Sequence, residues 1–293
     1  MNSKPHPDHD RGLAFDLGVL SRRKTLGLLF GAAPVAALTA CASSAEPGGI
    51  PSPSPPSSSA SSSSNSPATA AVSPSATTRA LSECGVETPD ETAGPYPGNG
   101  SNGPNALEQS GIVRRDIRSS FGGGDVAKVE GVSLTLTLTI LDNANGCSPY
   151  KGAAVYVWHC DREGKYSLYD SGYEDDNFLR GVQEADANGQ VTFTTVFPGA
   201  YMGRWPHIHF EVFDSLNNIN STGQILKVSQ VAMTEASCQA VYATAGYETS
   251  ARNFPSTTLR SDNVFGDDGG IHQLATIVGG PTEGYKAALN VTL

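Results

Sequence analysis

Positive charge is scarce in this chain. Nineteen Lys and Arg stand against 29 Asp and Glu in 293 residues, a formal charge of −10, and a surface of that sign argues against nucleic acid as a partner. A C-x-x-C pair is also missing: beyond residue 81 the cysteines are Cys84, Cys147, Cys160 and Cys238, so the usual spacing of a zinc–thiolate site is absent. No βαβ pattern and no internal repeat is visible. Histidine is rare too, with His159, His207, His209 and His272 the four that follow residue 81.

The N-terminal quarter is not expected to fold. In "SRRKTLGLLFGAAPVAALTAC", Arg22 and Arg23 precede an uncharged stretch from Thr25 to Ala40, the pattern of a twin-arginine export signal. Its apolar part is short and rich in Ala and Gly for a membrane span, which takes about 20 residues. It ends in Leu38-Thr39-Ala40-Cys41, similar to the lipobox of bacterial lipoproteins, in which the cysteine carries the lipid. Residues 42–80 are almost all Ser, Pro, Ala, Thr and Gly, and such a segment cannot bury enough surface to offset its chain entropy. The expected organisation is therefore a signal peptide with lipobox over 1–41, a disordered linker over 42–80 and a folded domain over 81–293. That layout places the domain at the outer face of a cell membrane, tied to it only by a lipid at Cys41, or secreted. Four cysteines in an exported domain point to two disulfides, with the pairing open.

Within the domain, β-branched or alternating runs recur at 133–141, 153–160, 190–197, 207–213, 225–233, 271–279 and 285–293. Seven such runs between Gly, Asn, Asp and Pro turns predict an all-β fold, a β-sandwich of mostly antiparallel strands. One short helix is predicted over 234–247, capped by Thr234 or Ser237, with Gly246 near its end.

The chemistry concentrates in "YMGRWPHIHFEV" (201–212). On an extended strand His207 and His209 project to one face, within reach of a single metal ion. A two-histidine, one-carboxylate site with Glu211 is the competing reading, although Glu211 follows the second histidine too closely for the usual cupin spacing. Upstream, "VYVWHCDREGKYSLYD" (155–170) supplies Tyr166 just past Gly164.

The stretches "AAVYVWHCDREGKYS", "NFLRGVQEADANGQVTFTTVFPGAYMGRWPHIHFEV" and "SQVAM", together with "TAGPYP" (92–97) and "RRDIRSSFGG" (114–123), resemble the intradiol ring-cleavage dioxygenases, and among them the exported single-domain members. The resemblance runs from about Cys84 to the C-terminus. It implies a non-haem Fe(III) held by Tyr166, Tyr201, His207 and His209. Ferric iron is hard and prefers anionic oxygen, and two phenolates with one hydroxide cancel its three charges. The resemblance further implies that a catechol dianion displaces Tyr201, which takes a substrate proton, and that O2 then opens the ring between the hydroxyls to a muconate-type diacid. Arg204 would stabilise charge developing on the ring, since a guanidinium does not lose its proton. A substrate-facing glutamine is implied as well: Gln230 fits best, with Gln224 its rival.

Other residues have plainer readings. His159 and His272 are expected to be structural, Tyr169 and Tyr173 to be loop aromatics, and Tyr96 either to line the substrate mouth or to pack on Pro97. A non-enzymatic β-sandwich binding module would share the tether and the fold, but would not need four iron-type ligands in order. Which catechol is cleaved, and the oligomeric state, stay open. Because the twin-arginine route moves folded proteins, the fold and the iron site should form with thiols reduced. A variant with every cysteine changed to serine is expected to bind iron in a metal-content assay, and failure to do so would contradict this.

Overall fold

The computed structural model describes residues 85–125, 128–220 and 225–293. The twin-arginine segment, the lipobox, the linker, Cys84 and Gln224 lie outside the described residues.

Two sheets form the body. The first centres on β1 (Ser133–Asp142), which pairs antiparallel with β5 (Gln190–Val196) and with the two-residue β2 (Ser148–Pro149). Its other edge pairs parallel with β9 (Gly284–Thr292), and β9 is flanked by β8 (Thr276–Gly280). The second sheet has the order β4 (Arg180–Glu184), β3 (Ala154–Trp158), β6 (His207–Phe213) and β7 (Ile225–Ala232), antiparallel throughout. "SLTLTLTI" makes β1 a strand with one inward face: Leu134, Leu136, Leu138 and Ile140 are buried, while the intervening threonines are half-buried. These leucines meet Val155, Val157, Ile208, Phe210 and Val212 from the second sheet in one core. The result is the all-β sandwich that the alternation predicts.

β6 departs from simple alternation. All seven of its residues are buried, with Ile208, Phe210 and Val212 facing the inter-sheet core and His207, His209 and Glu211 on the other face. That polar face needs a cover, and segment 93–112 provides it: Ala93, Ala106, Leu107 and Ile112 cluster with Tyr156, Trp158 and Tyr166 outside the second sheet. Backbone hydrogen bonds hold the cover, from Glu91 N to Val228 O at 2.7 Å and from Arg114 N to Val182 O at 3.0 Å.

Three expectations need correction. The helix predicted over 234–247 is shorter, α1 (Glu235–Tyr242) with Ala243 as its C-cap, and a second, α2 (Glu248–Asn253), follows a turn in which Gly246 takes a positive φ of 89°. The run 271–279 forms a strand only from Thr276, its first residues being a turn joined to β7 through an Ala232–Leu274 bridge. Two disulfides do not form, since Cys160 and Cys238 are free and buried. Burial pushes both thiols up, so they behave as small apolar side chains. Cys147 is disulfide-bonded.

Leu138 lies at the centre of β1 and is fully buried. Leu138→Ala is expected to cost about 2–5 kcal/mol in denaturant unfolding. Thr135→Ser, on the half-buried face, should stay within about 0.5 kcal/mol.

Candidate metal centre

His207 and His209 extend from one face of β6, as the two-residue period requires. The register sets Trp158 of β3 on one side of His209 and Gln230 of β7 on the other. The Trp158 ring stacks on the His209 imidazole, with centroids 4.8 Å apart and planes within 5°. His207 Nδ1 lies 2.5 Å from the Trp205 carbonyl, which can only accept, so the ring proton sits on Nδ1 and Nε2 presents a lone pair.

The phenols come from two loops. After β3, Asp161 Oδ1 accepts from the Glu163 and Lys165 amides, and Tyr166 N donates to Asp170 Oδ2 at 2.6 Å. This winds the chain so that Tyr166 points inward, 1% exposed. Tyr201 follows β5 on Pro198-Gly199-Ala200, where Ala200 N donates to Ser250 Oγ at 2.8 Å. Gly199 has to be glycine: a Cβ there would lie 2.5 Å from the Asp161 carbonyl.

The four tips meet. Tyr166 Oη is 3.4 Å from Tyr201 Oη, Tyr201 Oη is 3.2 Å from His207 Nε2, and His207 Nε2 is 3.0 Å from His209 Nε2. Among the described residues these atoms take one another as hydrogen-bond partners. Burial raises Tyr166 well above the ordinary phenol value and pushes Tyr201 up to about 12. Burial also takes His207 down to about 3 and His209 well below its usual range. Two phenols and two neutral imidazoles thus face each other at depth, a donor set of oxygen and nitrogen that suits a hard-to-borderline cation. Gly94 leaves room beside them, because a Cβ at that position would lie 3.2 Å from His209 Cε1.

Arg204 and Gln230 adjoin this cluster as the sequence suggested. Arg204 Nη2 donates to Gln230 Oε1 at 2.6 Å, and Gln230 Nε2 donates to the Thr92 carbonyl at 3.0 Å. Arg204 Nε donates to Asp262 Oδ2 at 3.0 Å. Burial alone would raise the Asp262 carboxyl, but Arg204 and the Trp205 amide hold it below its ordinary value.

Glu211 takes a different role: its Oε1 accepts from Asn99 Nδ2 at 2.8 Å. No group of three or more His, Cys, Asp or Glu that could hold a metal occurs among the described residues, which leaves the two-histidine, one-carboxylate reading without a site. His159 is structural, with Nδ1 2.8 Å from the Cys160 carbonyl and Nε2 2.7 Å from Thr195 Oγ1. His272 is half-buried in the turn before β8. Tyr169 bonds Asn102 and the Gly98 amide, and Tyr173 packs edge-on to Phe178. Tyr96 lies over Tyr166, with ring centroids 4.7 Å apart.

Sequence reasoning missed Asp262 and the part played by Trp158. Asp262 stands 58 residues from Arg204 in an unpatterned acidic loop, and no local signal marks it. Trp158 reads as an ordinary core residue until the register brings it beside His209.

A family model described as Dioxygenase matches residues 103–218, a span that includes Tyr166, Tyr201, Arg204, His207 and His209. An intradiol ring-cleavage dioxygenase from Tetranychus urticae is similar in structure at 28% identity and a TM-score of 0.54, over 71% of this chain and 94% of that one. A second dioxygenase structure is similar at 28% identity and a TM-score of 0.55, over 71% and 93% of the two chains. No curated protein matches the sequence. The chain is thus similar to dioxygenases in its sequence model, and in fold to an intradiol ring-cleavage dioxygenase. Members of that family are enzymes acting on catechol-type substrates, and they generally depend on non-haem iron.

Glu91, next to Thr92 on the cover, has a carboxyl raised to about 8 by burial and then by Asp267. An acid whose folded pKa is raised binds more protons folded than unfolded, so its contribution to stability falls as pH rises from its unfolded value of about 4.5 to 8. Glu91→Gln is therefore expected to melt higher than the parent at pH 8–9, with the gap closing by about pH 4.5. Thermal melts across that range check it.

Proposed function

We propose that Tyr166, Tyr201, His207 and His209 hold one ferric ion, and that the chain uses it to cleave catechol-type rings between their two hydroxyls with O2, giving muconate-type diacids. The observation that carries this reading is the convergence of two phenol and two imidazole tips within 3.4 Å of their neighbours. When bound, the ion supplies the Lewis acidity that lets a catechol bind as a dianion with an electron-rich ring.

The chain's own residues do the rest. Tyr166 is sealed beneath Tyr96, whereas Tyr201 is half-buried on a loop. Tyr201 would thus be the phenol that gives way to an incoming substrate, and its Oη would accept a hydroxyl proton. Arg204, fixed by Asp262 and Gln230, holds a permanent positive charge beside the site and stabilises negative charge on the ring without giving up a proton. Trp158 and the Trp205 carbonyl fix the planes of the two imidazoles. From Arg22-Arg23 and the run ending at Cys41, we further propose export by the twin-arginine route and action outside the cell, at the membrane through a lipid on Cys41 or in secreted form.

Phenolate-to-iron charge transfer absorbs visible light, so the iron-loaded protein is expected to be burgundy to red and to take up O2 with catechols. Tyr166→Phe should lose or shift the band and lower turnover at least about a hundredfold. A colourless iron-loaded parent, or an unchanged spectrum in Tyr166→Phe, would overturn the assignment.

A further inference from the structure

Arg180, the first residue of β4, is a buried guanidinium, 1% exposed, whose hydrogen bonds all go to uncharged oxygens. Nε donates to Ser167 Oγ at 3.0 Å, and Nη1 donates to the Pro97 carbonyl at 2.9 Å and to Tyr156 Oη at 3.0 Å. Nη2 donates to the carbonyls of Tyr96 and Ser167, each at 3.0 Å. A guanidinium has five N–H donors, and all five are used here. Burying a charge on neutral acceptors is costly, and an apolar side chain would fill the same volume without that cost.

What the guanidinium joins explains its presence. Ser167 directly follows Tyr166. Tyr96 and Pro97 belong to the cover segment whose Gly94 lies against His209 and whose Tyr96 ring lies on Tyr166. The backbone on both sides of the joint is strained: Leu168 has φ 72° and Leu179 has φ 55°, left-handed conformations that non-glycine residues keep only where the surroundings enforce them. At Gly98, a Cβ would lie 2.7 Å from Arg180 Nη1, so the segment approaches as closely as a chain can.

We propose that Arg180 is a positioning residue that joins the Tyr166 loop and segment 94–98 into one body, and so sets where the Tyr166 hydroxyl and the Tyr96 ring stand relative to the two histidines. It acts through backbone carbonyls and Ser167. Lysine cannot replace it, since an ammonium has three donors and no plane. The spectroscopic part of the test rests on Tyr166 being an iron ligand; the exchange part does not.

The test uses Arg180→Lys and Ser167→Ala in the full chain. In metal-free protein, hydrogen exchange is expected to quicken at least about tenfold in Arg180→Lys at Gly98, Leu168 and Asp170 together, with β1 and β9 unchanged. In iron-loaded protein the visible band should shift, and KM for catechol should rise by a larger factor than kcat falls. Ser167→Ala removes one of the five bonds and should move exchange and band in the same direction by less. A lower Tm with unaltered exchange and band in folded Arg180→Lys would reduce the residue to a packing role and overturn the proposal. Should Arg180→Lys not fold, unaltered exchange and band in Ser167→Ala would do the same. A colourless parent would defeat the iron reading alone, leaving exchange to decide this one.

Discussion

Four polar tips buried at one point, each satisfied by its neighbours, are the constraint around which this molecule is arranged. Oxygen and nitrogen atoms removed from water must find partners or carry a large desolvation cost. Here the partners come from three separate pieces of chain: the loop after β3, the loop after β5 and the strand β6. Each piece is aimed by contacts of its own, and a shift in any one would leave the others unsatisfied.

That arrangement asks something unusual of a sandwich. A sheet ordinarily turns one face to the core and the other to water, but β6 and β3 are buried on both. Segment 93–112 closes the second face, so the molecule has a third layer made mainly of loop. Loop layers hold their place through specific polar contacts more than through area, and here Arg180 donates to the Tyr96 and Pro97 carbonyls and Asn177 to Gln109 Oε1. The site sits at the seam between sheet and cover. One side is set rigidly by strand register, while the other depends on a few hydrogen bonds.

What the sequence disclosed follows the same division. β1 and β6 were readable because their side chains alternate locally, and the H-x-H step with its flanking Arg204 needed only that alternation to bring two imidazoles together. Tyr166 and Tyr201 were found through resemblance to a family, since nothing in their spacing alone says that two loops will meet. Gln230 falls opposite His209 because β6 and β7 are neighbours, a fact of pairing that local pattern does not contain. Asp262 lay beyond reach for the same reason: its value comes from a fold that returns it to Arg204. The cysteine expectation holds for Cys147 and fails for Cys160 and Cys238, because export argues for disulfides in general, whereas these two are buried in the packing.

The parallel pairing of β1 with β9 has a bearing on how the chain reaches this state. Leu134 is matched with Tyr285 and Leu141 with Thr292, so the middle of the first sheet waits for a strand that follows β1 by most of the domain. Until β9 arrives, β1 presents an unsatisfied edge along most of its length, which invites association with other nascent chains. Pairing strands so far apart in sequence raises the contact order of the domain, which slows the closure of its first sheet.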